Sequence, residues 1–173
     1  MPDSSPLKRE SGLAPILGDE PVVLVLGSFP SRMSLEKGLY YANPKNQFWK
    51  VMRVILDLPD EGEISLMYSR LKQRRIAVWD MVESRRFQQG SMDHDIREAR
   101  MNDIFGFLDM NPRIRFIGLN GGRAWTFFLR SSKGKILPDS LVFQRLPSTS
   151  PANARYSLED KIREWRIILD YLP

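Results

Sequence analysis

The stretch Val22-Val23-Leu24-Val25-Leu26-Gly27-Ser28-Phe29-Pro30-Ser31 decides the fold. An apolar run ends abruptly at a glycine, a small hydroxyl residue, an aromatic ring and a proline. An unbroken run of this kind is typical of a parallel strand that is buried on both faces. The turn at its carboxyl end lies where open α/β sheets bind their ligands. The stretch therefore predicts a parallel sheet with a binding site at its edge.

Similar apolar runs recur along the chain, with helical patterns between them. We predict strands over 22–26, 76–79, 114–119 and 141–146, and helices over 44–57, 63–73, 95–109, 122–131 and 157–171. For the first helix, Asn43 is the expected N-cap and Pro44 the expected first helical residue. Residues 83–94 show no period and are expected to form a loop. Alternating strands and helices predict an α/β fold, a three-layer α/β/α sandwich around a central four-stranded parallel sheet.

Length and composition indicate how many domains the chain forms. The chain has 173 residues, of which 42% are hydrophobic and 10% aromatic, enough for one hydrophobic core. Residues 1–20 mix proline, serine, glycine and charged residues, so we expect a flexible N-terminal arm followed by a single domain over 21–173.

Composition also excludes several classes of function. Cysteine is absent, which excludes disulfides and thiolate chemistry and favours an intracellular location. The chain has 1 histidine, His94, so we expect no metal centre and read this residue as solvated. No apolar stretch is long enough to span a bilayer, and we expect no membrane partner. The formal net charge of +5 favours polyanionic partners such as nucleic acid.

Polar, mostly neutral sequences follow the predicted strands. They are Gly27 to Ser31, Trp79-Asp80, Gly118 to Gly122 and Leu146 to Arg155. Because the carboxyl ends of parallel strands share one edge of the sheet, these segments can form a single pocket. Hydroxyl and amide groups suit a neutral polar ring and a phosphodiester. The tyrosines and asparagines between 40 and 46 add aromatic faces and edge hydrogen bonds, which suit a nucleobase.

Taken together, these motifs resemble the uracil-DNA glycosylase superfamily, and most closely its hypoxanthine (deoxyinosine)-DNA glycosylase branch. The resemblance spans roughly residues 20–170 and rests on Gly-Ser-Phe-Pro-Ser at 27–31, Tyr-Tyr-x-x-Pro-x-Asn-x-Phe-Trp at 40–49, Trp79-Asp80 with Gly90-Ser91, Leu119-Asn120-Gly121, and Leu-Pro-Ser-Thr-Ser-Pro-Ala at 146–152. It implies a monomeric, cytoplasmic or nucleoid-associated base-excision repair enzyme. Such an enzyme needs no cofactor and no metal, and it hydrolyses the N-glycosidic bond of deaminated bases in double-stranded DNA.

The resemblance also implies roles for the first two motifs. Phe29 occupies the position of an aromatic ring that stacks on the extruded base, beside the backbone of Gly27 and Ser28. Tyr40 or Tyr41 is expected to narrow the base pocket.

Asparagines supply the expected catalytic amide. Asn46 matches the asparagine to which the branch assigns this role, and Asn43, at a position that is often histidine in relatives, is a second candidate. An amide cannot ionise, so Asn46 is expected to position a water and not to act as a strong base. Asn120 either contacts the edge of the base or caps the helix predicted from 122.

The loop after the last strand is assigned to the DNA backbone and minor groove. Its backbone-contacting residues are Ser148, Thr149 and Ser150, and the wedge is expected to come from Ala152, Asn153 or Arg155. Many relatives carry an Asp or Asn in the first loop and a histidine in this one, and this chain has neither.

Other interpretations stay open. Asn43 can simply cap a helix, and Asp80 can anchor a loop to the backbone. The missing acid, base and histidine fit a non-catalytic module of the same fold that binds damaged DNA. A glycosylase that prefers uracil or xanthine is a further alternative. A nucleotide-processing or small-molecule α/β enzyme is disfavoured, because the first turn lacks the glycine spacing of phosphate-binding loops.

Overall fold

A four-stranded parallel sheet forms the centre of the molecule. The computed structural model describes residues 8–59, 62–87 and 97–173. The strands of these residues are β1 (Lys8–Ser11), β2 (Val23–Gly27), β3 (Ile76–Asp80), β4 (Val82–Phe87), β5 (Arg97–Met101), β6 (Phe116–Asn120) and β7 (Val142–Leu146). The central sheet has the order β3-β2-β6-β7, and each neighbouring pair is parallel. The four predicted strands and their parallel arrangement are confirmed.

Helices cover both faces of this sheet. They are α1 (Arg32–Lys37), α2 (Phe48–Ile55), α3 (Ile64–Gln73), α4 (Ile104–Met110), α5 (Gly122–Ser131) and α6 (Leu158–Trp165), which continues as a 3-10 helix over Arg166–Tyr171. Val23 and Val25 of β2 pack into one hydrophobic cluster together with residues of α2, α3 and α6. The alternate residues Leu24 and Leu26 pack into a second cluster with residues of α4 and α5. This alternation across a fully buried strand confirms the three-layer sandwich. No helix in the described part of the chain is both long and apolar enough to cross a bilayer.

A second sheet, which the sequence analysis missed, lies beside the first. Its order is β1-β4-β5, and its strands are antiparallel. The helix predicted over 95–109 is therefore wrong for 97–101, and the helix begins only at Ile104, where the Asp103 side chain accepts a hydrogen bond from Gly106 N at 3.0 Å. The loop predicted over 83–94 is wrong for the part within β4, and 88–94, with His94, lies outside the described residues. β4 and β5 are rich in charged residues, so they carry no apolar pattern for a sequence reading to detect.

The segment 8–16, expected to belong to a flexible arm, pairs with both sheets. Lys8–Ser11 forms the β1 ladder on β4. Ile16 is 2% exposed and exchanges backbone hydrogen bonds of 2.8 and 3.0 Å with Val78. Residues 1–7 lie outside the described part of the chain.

Helix α2 begins later than predicted, and this matters for the site. Its N-cap position is Gln47, so the assignment of Asn43 as N-cap and Pro44 as first helical residue is wrong. Asn43 instead accepts a hydrogen bond from Lys45 N at 3.0 Å and forms a turn. Residues 43–47 consequently form a loop that can face a ligand.

Candidate functional site

A cleft of about 920 Å³ opens at the carboxyl ends of the parallel strands. The last residue of β3 and the segments that follow β2, β6 and β7 line it, together with the loop before α2. The cleft brings together every site residue predicted from the sequence, namely Gly27, Ser28, Phe29, Tyr40, Tyr41, Asn43, Asn46, Asn120, Ser148, Thr149, Ser150, Ala152, Asn153 and Arg155. The prediction that distant segments form one pocket is confirmed.

The turn after β2 forms one wall. Phe29 lines the cleft, and the guanidinium of Arg85, on β4 of the second sheet, lies 4.6 Å from the centroid of its ring. Arg85 also pairs with Glu10 of β1 at 3.1 Å. A cation over an aromatic face is an attractive contact. The second sheet therefore supports the ring that is expected to stack on a base.

The loop before α2 also lines the cleft. The ring of Tyr41 stacks on Phe48 with centroids 4.0 Å apart, and Tyr40 is buried, with its hydroxyl donating to Leu13 O at 3.2 Å. Burial raises the pKa of both tyrosines, so they remain neutral hydrogen-bonding groups. Asn46 Oδ1 accepts a hydrogen bond from Phe48 N at 2.9 Å, which fixes the orientation of the Asn46 amide.

The Asn120 side chain joins three cleft-lining segments. Its Oδ1 accepts from Thr149 N at 3.0 Å. Its Nδ2 donates to Thr149 Oγ1 at 3.0 Å and to the Tyr41 hydroxyl at 3.1 Å. The alternative that Asn120 caps α5 is wrong, because the N-cap of that helix is Gly121. Contact between Asn120 and a base edge stays a prediction.

The loop 147–155 is held by its own side chains. Ser148 Oγ accepts from Ser150 N at 3.2 Å, and Ser150 Oγ accepts from Ala152 N at 3.2 Å. Asn153 Nδ2 donates to Ser148 O at 3.0 Å. Of the three wedge candidates, Asn153 is thus engaged within the loop, whereas Ala152 and Arg155 are exposed at the lip of the cleft.

Asp80, at the end of β3, adds a carboxyl group to the cleft. It is 4% exposed, and burial raises its pKa from 3.8 to about 7. Its backbone carbonyl accepts from Asn102 Nδ2 at 2.8 Å. The interpretation of its side chain as a loop-to-backbone anchor is not supported, since Oδ2 is buried without a hydrogen-bond partner in the described structure.

Comparison with known proteins identifies the family. The chain matches the model of the Uracil DNA glycosylase superfamily over residues 15–172. It belongs to that superfamily. Two curated superfamily relatives are named Hypoxanthine DNA glycosylase. The one from Methanosarcina acetivorans is 31% identical over 91% of this chain and 96% of its own length, and the one from Methanosarcina barkeri is 28% identical over 67% and 73%.

A solved structure of the superfamily has the same architecture. The solution NMR structure of a Methanosarcina acetivorans protein superposes on this chain with a TM-score of 0.78 at 30% identity. The match covers 93% of this chain and 96% of that one.

Several cleft residues of this superfamily member were not predicted from the sequence. Arg123 and Arg145 line the cleft. Arg123 lies three residues after the end of β6, and Arg145 is the residue before the end of β7, so nearness to a predicted strand end was the available signal. Lys161 does not line the cleft but supports its loops from α6. It is buried and donates to Gln47 Oε1 at 2.8 Å and to Asn153 O at 3.2 Å, and burial lowers its pKa. Nothing in the sequence distinguishes Lys161 from an exposed helical lysine.

Proposed function

We propose that this protein is a DNA glycosylase that releases hypoxanthine from deoxyinosine in double-stranded DNA, acting as a monomer without cofactor or metal. The observation that carries the proposal is the single cleft in which aromatic rings and neutral amides converge at the sheet edge. Two relatives named for this activity support the choice of base.

The cleft suits a base that has been rotated out of the duplex. Rotating a base out of the duplex costs roughly a few kcal/mol, and less when the base is mispaired. In the proposed complex the ring stacks on Phe29, whose orientation Arg85 supports from the second sheet. The neutral hydroxyl of Tyr41 and the turn at Gly27 and Ser28 bound the remaining space.

Bond cleavage develops positive charge on the sugar and negative charge on the departing base. In the proposed mechanism Asn46 positions the attacking water, because its amide is oriented by Phe48 N and cannot ionise. Amide, hydroxyl and backbone donors around the cleft face the base and stabilise its developing negative charge. The loop 147–155, stiffened by its serines, contacts the DNA backbone, and Ala152 or Arg155 enters the minor groove.

A single-turnover excision assay on duplexes that carry deoxyinosine tests the proposal. Asn46→Ala is expected to slow base release by about 100-fold or more while duplex binding persists. Asn111→Ala is the matched control, since Asn111 lies at the end of α4 and its amide donates to Phe107 O within that helix. Equal release by Asn46→Ala and wild type would remove Asn46 from its role.

The same assay separates the alternative functions. Duplexes with uracil, xanthine or a mispaired thymine measure the preference among bases. Faster release of uracil or xanthine than of hypoxanthine would replace the proposed substrate. Tight binding to deoxyinosine duplexes without any abasic product, even at excess protein, would identify a damaged-DNA-binding module.

A further inference from the structure

The ammonium group of Lys161, on α6, connects two loops that line the cleft. Its Nζ donates to Gln47 Oε1 at 2.8 Å and to Asn153 O at 3.2 Å. Gln47 directly follows Asn46 at the start of α2, and Asn153 belongs to the loop after β7. Gln47 N also donates to Thr149 O at 2.9 Å, so the two loops are bonded to each other directly as well as through the ammonium group.

Helix α6 holds this ammonium group in a fixed place. Ser157 and Asp160 form a capping box at the start of the helix, with bonds of 3.1 and 3.2 Å. At the end of the helix Trp165 is buried, and its Nε1 donates to Pro147 O at 2.9 Å. The helix therefore binds the loop after β7 at two points, through Trp165 at the start of the loop and through Lys161 further along it.

The burial of this lysine is unfavourable by itself. Lys161 is 2% exposed, and the two oxygens that accept from it are neutral. None of the ion pairs among the described residues includes it. Because a buried charge without a counter-charge is costly, an apolar side chain would suit a position that only fills space. An ammonium group supplies what an apolar chain cannot, namely directed hydrogen bonds to two separate segments.

We propose that Lys161 is a positioning residue for base release, which holds the loop of Asn46 in register with the loop 147–155; this inference rests on the proposed function. When the loop 147–155 contacts the DNA backbone, the link through Gln47 fixes the neighbouring Asn46 amide relative to the target nucleotide. A displacement of about 1 Å at a reacting group can cost about 100-fold in rate. Loss of the link is therefore expected to slow base release although every group that faces the DNA is still present.

Single-turnover excision from deoxyinosine duplexes at increasing protein concentration tests this role. It gives the maximal rate of base release and the half-saturating protein concentration separately. Lys161→Met keeps a long side chain but loses both bonds. The maximal rate is expected to fall by about 10- to 100-fold, while the half-saturating concentration changes by less than about threefold. Lys72→Met is the matched control and is expected to match wild type, since Lys72 is an exposed lysine of α3 that does not line the cleft.

Variants of Gln47 test the same link from its other side, even where Lys161→Met does not fold. Gln47→Leu removes the acceptor, and no helix cap is lost with it, because the Gln47 side chain makes no capping bond. It is expected to lower the maximal rate by itself and to add little in combination with Lys161→Met. Gln47→Glu still offers an oxygen to Nζ and is expected to recover most of the rate that Gln47→Leu loses. A lysine that only stabilised the fold would lower the free energy of unfolding in urea and leave the maximal rate of the folded protein unchanged.

The outcomes separate this inference from the proposed function. An unchanged maximal rate in Gln47→Leu or in folded Lys161→Met would overturn the positioning role and leave hypoxanthine release intact. Fully additive losses in the double variant would overturn it as well. Release by wild type of another deaminated base, but not of hypoxanthine, would overturn the proposed substrate, and the same variants would then test Lys161 on that base. Release of no base at all would overturn both.

Discussion

The carboxyl group of Asp80 lies where ionisation is unfavourable. Its pKa is raised from 3.8 to about 7 because burial removes water from the charged form. Between pH 4 and pH 7 the folded protein therefore holds a proton that the unfolded chain has released. Since the folded state then binds more protons than the unfolded state, the contribution of Asp80 to stability falls as pH rises through this window.

Asp80→Asn is expected to remove this pH dependence. The free energy of unfolding of the variant, relative to wild type, should rise between pH 4 and pH 8 by up to about 4 kcal/mol. Urea unfolding at several pH values measures the difference, so that contributions from other carboxyl groups cancel. The control Asp139→Asn, at an exposed side chain, should show a constant difference. A constant difference for Asp80→Asn would show that Asp80 titrates as in the unfolded chain.

At the scale of elements, the antiparallel sheet supports the aromatic wall of the cleft. Arg85 of β4 is 2% exposed, contacts the face of Phe29 and pairs with Glu10 of β1. A buried guanidinium held in this way fixes the ring more firmly than a flexible apolar chain would, because the cation is attracted to the ring face. The second sheet thus contacts the site through the Arg85 side chain, and also through Val82 N of β4, which donates to Ser28 O at 3.0 Å.

Arg85→Met is expected to weaken the stacking of Phe29 on the extruded base. Excision of the target base should slow by about 3- to 30-fold, the range that corresponds to a partly buried cation–π contact. The effect should shrink in a Phe29→Leu background, because both changes then affect the same contact, and a double-mutant cycle measures this coupling. Arg86→Met, at the neighbouring exposed residue that pairs with Glu98, is the control. Additive effects of Arg85→Met and Phe29→Leu would contradict the connection.

Predictability from sequence also differs between elements. The parallel strands can be predicted because strands buried on both faces, such as the fully buried β2, are continuous apolar runs. The cleft can then be predicted at the carboxyl ends of these strands. β4 instead has Ser84 and Arg85 buried among charged neighbours, and the ion pair that permits this joins residues far apart in the chain. Helix α1, only six residues long, is too short to show a period. The start of α2 depends on the side-chain hydrogen bonds of Asn43 and Asn46, and helix propensities do not predict these bonds.

At the scale of the whole molecule, positive charge gathers at the cleft. The chain carries a formal net charge of +5, and Arg123, Arg145 and Arg155 are exposed residues that line the cleft. Neighbouring cations beside a pocket of aromatic rings, amides and hydroxyl groups suit a ligand whose backbone is anionic and whose reacting part is not. Duplex DNA has this distribution of charge, and its binding releases counterions, so affinity falls as salt rises.

Each cleft arginine that contacts a phosphate is expected to contribute to this salt dependence. For Arg155→Gln, the slope of log K against log[salt] should become shallower by about 0.9, with weaker binding of duplexes with and without a deaminated base alike. Arg130→Gln is the matched control, because Arg130 is also exposed but does not line the cleft. Fluorescence anisotropy of a labelled duplex, recorded at salt concentrations from about 50 to about 200 mM, measures the slope for both variants. An unchanged slope for Arg155→Gln would place the DNA backbone away from the loop 147–155, and equal losses in both variants would indicate that overall charge, and not the cleft, attracts the duplex.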